Sequence, residues 1–400
     1  MKSIKVFRYI LIAIIAILLT AYGFLSFNNY MLRHLDSTTM DLKDENIISF
    51  SVEPGIYDHS ITIELKNKLK LIGDMTILYT FNGDDPYFNN SFINEYKEEI
   101  AYSPMSYTEP IKIDVKENDV VVVPIKAVIF YQHHYSRVVE KTYIVSDGDI
   151  NQYTDLPIVS ITVNNHDLYD YYDGIMIKGY LGDKFIEEGR EGINWGNIAE
   201  ERQVSSNVTM FKLNDNYKNY YKNSFRVAGG TSKVSDNKSF IIENTRDKYY
   251  NIFDNELKNG FTTLKLRSGS QDYFLSDIRS SIVSRISREI GFDGAPYSRR
   301  AILYINGNFY SIIDILDSNS SENIRDKYNL PSKKIEETIN LCNSTIDVDD
   351  EDFEEFIYIN YDLDNLLKYT AIEIFINNTD WPLNNIKRWR YVGGQKTNSV

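Results

Sequence analysis

The sequence predicts a multi-domain chain: an N-terminal transmembrane helix, an all-β immunoglobulin-like sandwich, and an α+β unit. Three observations predict it. An uncharged run from Tyr9 to Leu25 follows three basic residues. Short alternating segments with turn residues between them fill Ile48 to Val145. Beyond Leu156, strand-like runs mix with helical periodicity. A chain of 400 residues, 42% hydrophobic and 14% aromatic, has material for more than one core.

Lys2, Lys5 and Arg8 precede an apolar run just long enough to cross a bilayer. Positive charge on that side places the N-terminus inside and the rest outside. Residues 1–26 are therefore expected to be a signal anchor, meeting the membrane through residues 9–25, with the bulk of the chain at the bacterial cell surface. Secretion after signal cleavage competes, although Thr20-Ala21-Tyr22-Gly23 is a poor cleavage site. Residues 27–47 are polar and read as a linker.

The segment 48–148 follows as the sandwich. Ser60-Ile61-Thr62-Ile63-Glu64-Leu65 and Thr76-Ile77-Leu78-Tyr79-Thr80-Phe81 alternate as half-buried strands do. Asn82-Gly83-Asp84-Asp85-Pro86 is a turn by its own chemistry. Asp84 and Asp85 offer oxygen ligands that suit calcium, although carboxylates in a turn more often serve the turn.

Composition excludes several functions. A net charge of −14 without a basic stripe argues against nucleic acid as a partner. Cys342 is the only cysteine, so intramolecular disulfides and Cys-based zinc sites are out. The five histidines, His34, His59, His133, His134 and His166, form no zinc-protease or triad pattern.

Residues 155–400 open on the strand Leu156-Pro157-Ile158-Val159-Ser160-Ile161. Strand-like runs recur at 207–213, 224–228, 239–243, 262–267 and 300–305. Ile278, Ile282, Val283, Ile286 and Ile290 share one face of a helix over 276–290, with Ser276 as cap and Gly291 as stop. Asn306-Gly307 between two apolar runs predicts a hairpin. A last, largely apolar helix from Leu363 to Asn377 is expected to be well buried.

Within this unit a few residues have the right chemistry for phosphoryl transfer. Gly229-Gly230-Thr231-Ser232 is a turn whose backbone can approach a phosphate closely. Lys238, on the returning strand, offers a point charge to it; its plain alternative is a solvent-facing strand lysine. Arg267 can meet a phosphate or pair with Asp272. Asp380 and Asn385 stand five apart after the last helix, a carboxylate to orient a hydroxyl and an amide to hold a divalent metal. The plain alternative for Asp380 is a turn cap before Pro382.

Two resemblances are visible in these residues. Phe50-Ser51-Val52-Glu53-Pro54-Gly55-Ile56-Tyr57, Leu78 to Pro86 and Tyr107-Thr108-Glu109-Pro110-Ile111 resemble the chitobiase/β-hexosaminidase C-terminal-type module. Further on, Asp155 to Ile161, Phe225 to Lys233 with Asn237-Lys238-Ser239-Phe240, Leu264 to Gly269 with Asp272 and Asp277-Ile278-Arg279, Tyr304 to Tyr310, and Asn378 to Asn385 resemble the CotH kinase family. That second resemblance, over roughly 155–395, implies an atypical protein-kinase-like domain. It also implies ATP with Mg or Mn as cofactors and a Ser/Thr of a spore-coat or cell-surface protein as acceptor. Gly229, Gly230, Ser232, Lys238 and Arg267 would then bind the cofactor, Asp380 would act as catalytic base, and Asn385 would hold the metal. The given sequence reaches Val400 without the second metal-binding Asp of that family, so activity is expected to be poor. The alternative is a non-catalytic surface protein, a pseudokinase scaffold and sandwich binding cell-wall glycan or protein.

Overall fold

The computed structural model describes residues 20, 22, 47–68, 74–190, 196–212, 217–244, 246–253, 260–269, 272–330, 335–337, 353–379, 381 and 389–391. They form two units. One comprises Met1–Ser91 with Ile100–Tyr153, the other Phe92–Glu99 with Thr154–Val400.

The first unit is built of strands. Its strands are β1 (Ile48–Phe50), β2 (Gly55–Tyr57), β3 (Ile61–Ile63), β4 (Leu65–Asn67), β5 (Thr76–Thr80), β6 (Asn90–Ile93), β7 (Glu99–Tyr102), β8 (Met105–Ser106), β9 (Ile111–Ile113), β10 (Val120–Tyr131), β11 (His134–Tyr135) and β12 (Val139–Ser146). The β6–β7 hairpin crosses the division, and its tip, Phe92–Glu99, belongs to the second unit. The main sheet runs β2-β12-β10-β5-β8, with β11 on β10, while β1 pairs β4 and β3 pairs β9. Period-two alternation sets the faces: Ile61 and Ile63 lie opposite Ile113 and Ile111 and point inward, while Thr62 and Lys112 are exposed. Those isoleucines share a core with Ile125, Ala127, Ile129, Tyr143 and Val145 of the main sheet. In the Asn82–Pro86 turn, the Asn82 side chain donates to Asp84 at 2.7 Å and Lys126 pairs with Asp85 at 2.9 Å. These contacts are those of a braced turn.

In the second unit, seven strands close on themselves: β13 (Ile158–Thr162), β14 (Val204–Phe211), β15 (Tyr217–Ala228), β16 (Ser239–Glu243), β17 (Thr263–Arg267), β18 (Ser298–Ile305) and β19 (Asn308–Asp317). The order is β13-β14-β15-β16-β17-β19-β18, antiparallel throughout except where β13 meets β18 in parallel and completes the ring. Closure leaves no strand edge unpaired. Alternate residues fill the inside, among them Met210, Phe225, Phe240, Ile242, Leu264, Leu266, Leu303 and Ile315. Asn306 and Gly307, at φ 52° and 80°, make the β18–β19 hairpin turn with both residues left-handed. Around the barrel lie α1 (Asn165–Tyr169), α2 (Gly179–Glu187), α3 (Arg279–Glu289), α4 (Ser321–Tyr328), α5 (Phe353–Asn360) and α6 (Leu363–Phe375). A short pair, β20 (Ile335–Glu337) with β21 (Trp389–Tyr391), follows.

The expected fold class is corrected by this architecture. Strand accounts for 37% and helix for 22% of the described residues, and the second unit is a closed barrel with peripheral helices in place of an α+β kinase-like domain. Of the strand segments expected from the sequence, 239–243 coincides with β16 and 262–267 with β17 to within one residue. Segments 224–228 and 300–305 are the ends of longer strands, and 207–213 overlaps β14. The parallel pairing that closes the ring joins residues far apart in the chain. The anticipated transmembrane helix over Tyr9–Leu25 lies, but for Thr20 and Tyr22, outside the described residues. Among those described, no helix is long and apolar enough to cross a membrane.

Two helices also differ from expectation. Helix α3 starts at Arg279, whose backbone N–H donates to the Asp272 carboxylate at 3.1 Å, as does the Ser276 hydroxyl at 2.8 Å. Asp272, and not Ser276, therefore accepts at this helix start. The α3 isoleucines face outward: Ile278, Ile282, Ile286 and Ile290 are exposed while Ser284 and Ser287 are buried. Helix α6 buries Ile372 but exposes Leu367, Ile374 and Phe375.

Candidate functional site

Period-two alternation carries Ile242, Phe240 and then Lys238 onto the inner face of the barrel wall, so Lys238 lies at its mouth. It is 6% exposed and lines a cavity of about 310 Å³ together with Glu95, Tyr171, Met176, Lys178, Gly179, Asp183, Ile198 and Val234. That volume is at the small end of small-molecule sites. Met176 also packs on the barrel core, which ties the cavity to its end.

The backbone at Lys238 is fixed from several sides. Its N–H donates to the Tyr310 hydroxyl at 2.7 Å, and that hydroxyl donates to the Asp236 carbonyl at 3.0 Å. The neighbouring Asn237 amide donates to Ser311 Oγ at 3.0 Å and to the Ser268 carbonyl at 3.3 Å. The ammonium itself donates to the Ser235 carbonyl at 2.7 Å. Burial holds it below the ordinary lysine value, against a pull upward from Asp236.

Lys233, five residues earlier and equally buried, shows what a compensated lysine looks like here. Its Nζ meets Glu201 at 2.8 Å, with Arg226 at 4.0 Å from the same carboxylate. Among the described contacts Lys238 has a carbonyl partner and no carboxylate at ion-pair distance. An ammonium in that situation is suited to an anionic ligand.

The Gly229–Ser232 turn leads into a 3-10 turn over Thr231–Val234, which ends at Ser235, the residue whose carbonyl holds Lys238. Gly229 is at φ +117°, and a Cβ there would come within 2.4 Å of Ser232 Oγ, so the turn depends on glycine at that position. Gly230 has open space on its Cβ side. Lys238 follows this turn, but of the turn only Val234 lines the cavity; Gly229, Gly230 and Ser232, like Arg267, are outside the lining set.

Arg267 is elsewhere. It ends β17 opposite Asp314 in register, outside the set that lines the cavity. Asp314 is buried against Ser281 of α3 and lies 3.4 Å from Arg300, which also pairs with Asp277 at 2.9 Å. Burial raises the Asp314 carboxyl above its ordinary value, opposed by Ser281, Arg300 and Arg267. Asp272, the other expected partner of Arg267, pairs instead with Arg279 at 3.1 Å. Asp380 and Asn385 lie outside the described residues; Trp381 beside them packs edge-on to Tyr369 of α6 at 6.4 Å.

Sequence reasoning missed the other walls of the cavity. Glu95 arrives from the tip of the β6–β7 hairpin, and Tyr171, Lys178 and Asp183 from the α1–α2 region. The tyrosine-dense run Tyr169-Asp170-Tyr171-Tyr172 was the one local signal. Asp183 accepts from Tyr171 Oη at 2.8 Å and from Lys97 at 3.0 Å, and these contacts hold its carboxyl below the ordinary value. Nearby, His166, Asp170 and Asp173 gather within 4.8 Å of one another. Asp170 already accepts the Ile93 and Tyr172 backbone N–H groups, and Arg202 pairs with Asp173 at 2.9 Å. Asp173 Oδ1 is buried without a hydrogen-bond partner among the described residues, 3.8 Å from His166 Nδ1.

No family model matches the chain, and a search of curated proteins returns no match.

Proposed function

We propose that the barrel unit holds the phosphate chain of ATP at the cavity beneath the Gly229–Val234 turn. Its γ-phosphate then passes to a Ser or Thr hydroxyl of a coat or surface protein. The observation that carries this reading is Lys238: a buried lysine lining a cavity, its ammonium with a single carbonyl partner among the described residues, near a lysine of equal burial that has its carboxylate. Phosphate oxygens would supply the missing countercharge, and a point charge on an already desolvated stem requires little reorganisation.

A divalent cation, when bound, neutralises charge on the transferring group. Asp183 in the cavity is committed to Lys97 and Tyr171, so the metal would fall to Asn385 and the hydroxyl to Asp380, both outside the described residues. The closed barrel favours a second reading, in which the protein binds a phosphate-bearing ligand without transferring the group.

Equilibrium binding of ATP to the full-length chain, with Mg or Mn, tests the first step. Lys238→Met is expected to weaken binding at least about tenfold, and undiminished binding would sink the site. Labelled γ-phosphate transfer separates the two readings: Asp380→Ala should keep binding and abolish transfer if the protein is a kinase. Binding without transfer in the parent selects the second.

A further inference from the structure

At the rim of the cavity three tyrosines meet. Tyr171 is 6% exposed and lines the cavity, whereas Tyr172 is 59% and Tyr180 42% exposed. Tyr172 stands edge-on to Tyr171 at 5.1 Å and Tyr180 edge-on at 6.2 Å, and the two exposed rings lie 5.8 Å apart, tilted by 41°. The buried ring thus props two exposed ones in a continuous strip.

The strip is rigid for local reasons. The Tyr180 N–H donates to the Tyr171 carbonyl at 2.6 Å. The same carbonyl accepts the buried Asn197 amide at 3.0 Å, and Asn197 Oδ1 accepts the Leu181 N–H at 3.3 Å. Gly179 is at φ +52°, and a Cβ there would come within 2.3 Å of both the Tyr171 carbonyl and the Asn197 amide. From the other side, the Lys97 ammonium sits 5.0 Å from the Tyr171 ring centre and bridges to Asp183. Exposed aromatics held this way lose little entropy on meeting a ligand.

We infer that Tyr172 and Tyr180 form a saccharide-binding platform at the rim of the cavity. The ligand is a neutral glycan chain. Pyranose rings present C–H faces that pack on aromatic faces, and two tilted rings in sequence suit two successive sugar units. A planar base would favour parallel faces instead. Net charge on the ligand is not called for, because Lys97 and Asp183 already neutralise each other across Tyr171. The platform is independent of phosphate binding at Lys238, and its residues differ from those tested there.

Titration calorimetry on the full-length chain tests it, with β-1,4-linked hexasaccharides of glucose and of N-acetylglucosamine, and with a proline-rich peptide as the competing class. One of the saccharides is expected to bind. Tyr172→Ala and Tyr180→Ala should each weaken that binding about tenfold, while Tyr172→Phe should leave it unchanged. The inference is overturned if neither saccharide binds, if binding survives the double alanine variant, or if only the peptide binds.

Discussion

The Asp317 carboxylate accepts the backbone N–H of Tyr297 at 2.6 Å from a position that is 6% exposed, at the end of β19. Burial pushes its carboxyl from 3.8 up to about 6, against the pull of Lys327 and Arg288. The folded chain therefore binds this proton more tightly than the unfolded one. The stability it contributes is complete below pH 3.8 and is lost as pH rises through about 6. Asp317→Asn keeps an acceptor for Tyr297 and removes the charge. Denaturant unfolding should show the variant more stable than the parent at pH 7, by up to about 3 kcal/mol, and closer to it near pH 4. Equal stabilities at pH 7 would refute this.

Arg300 holds two carboxylates, the buried Asp314 and the half-buried Asp277. Arg300→Met leaves Asp314, 2% exposed, with the Ser281 hydroxyl as hydrogen-bond donor and the weaker pull of Arg267 as remaining cation. The expected cost is about 3–4 kcal/mol at neutral pH, because an uncompensated buried charge remains. The cost should shrink on acidification as Asp314 takes up a proton. A loss independent of pH would assign Arg300 a packing role alone.

Helix α3 turns its serines inward, so its energetics should invert the usual amphipathic rule. Ile282→Gln and Ile286→Gln are expected to change stability by less than about 0.5 kcal/mol. Ser284→Leu forces bulk against the Pro296 carbonyl that Ser284 now contacts, and should cost about 1–3 kcal/mol. Large losses from the isoleucine variants would mean that this face is covered in solution.

Gly179→Ala meets backbone and a buried amide at once, whereas Gly291→Ala meets only the end of Lys368 at 3.6 Å. Both glycines have positive φ, so both changes carry a backbone cost of about 1 kcal/mol. Thermal unfolding should show Gly179→Ala losing distinctly more than Gly291→Ala.

Local features of the fold were legible in the sequence because local chemistry dictates them. Asn306-Gly307 must turn, since few other pairs take two left-handed residues, and Gly291 must end a helix. Periodicity found α3, but not the face it buries; that was decided by Asp314 and the Pro296 carbonyl, which needed hydroxyl partners beneath the helix. The candidate site was legible in part. Lys238 could be picked out by its place after a Gly-Gly turn, but nothing local separates it from Lys233. Only the fold brings Glu201 to one of them. Glu95 and Asp183 reach the cavity from segments that share no pattern with the turn.

The parallel seam between β13 and β18 is accompanied by a side-chain bond between Val163 and Asn306, 143 residues apart. A ribosome delivers the first of those residues long before the second. Until β18 emerges, β13 and the strands after it form an open sheet with bare backbone groups along its borders, a template for pairing with other chains. High contact order of this kind slows folding, since the entropy of a long loop must be lost before the seam rewards it. Slow maturation is the expected consequence of closing the ring so late.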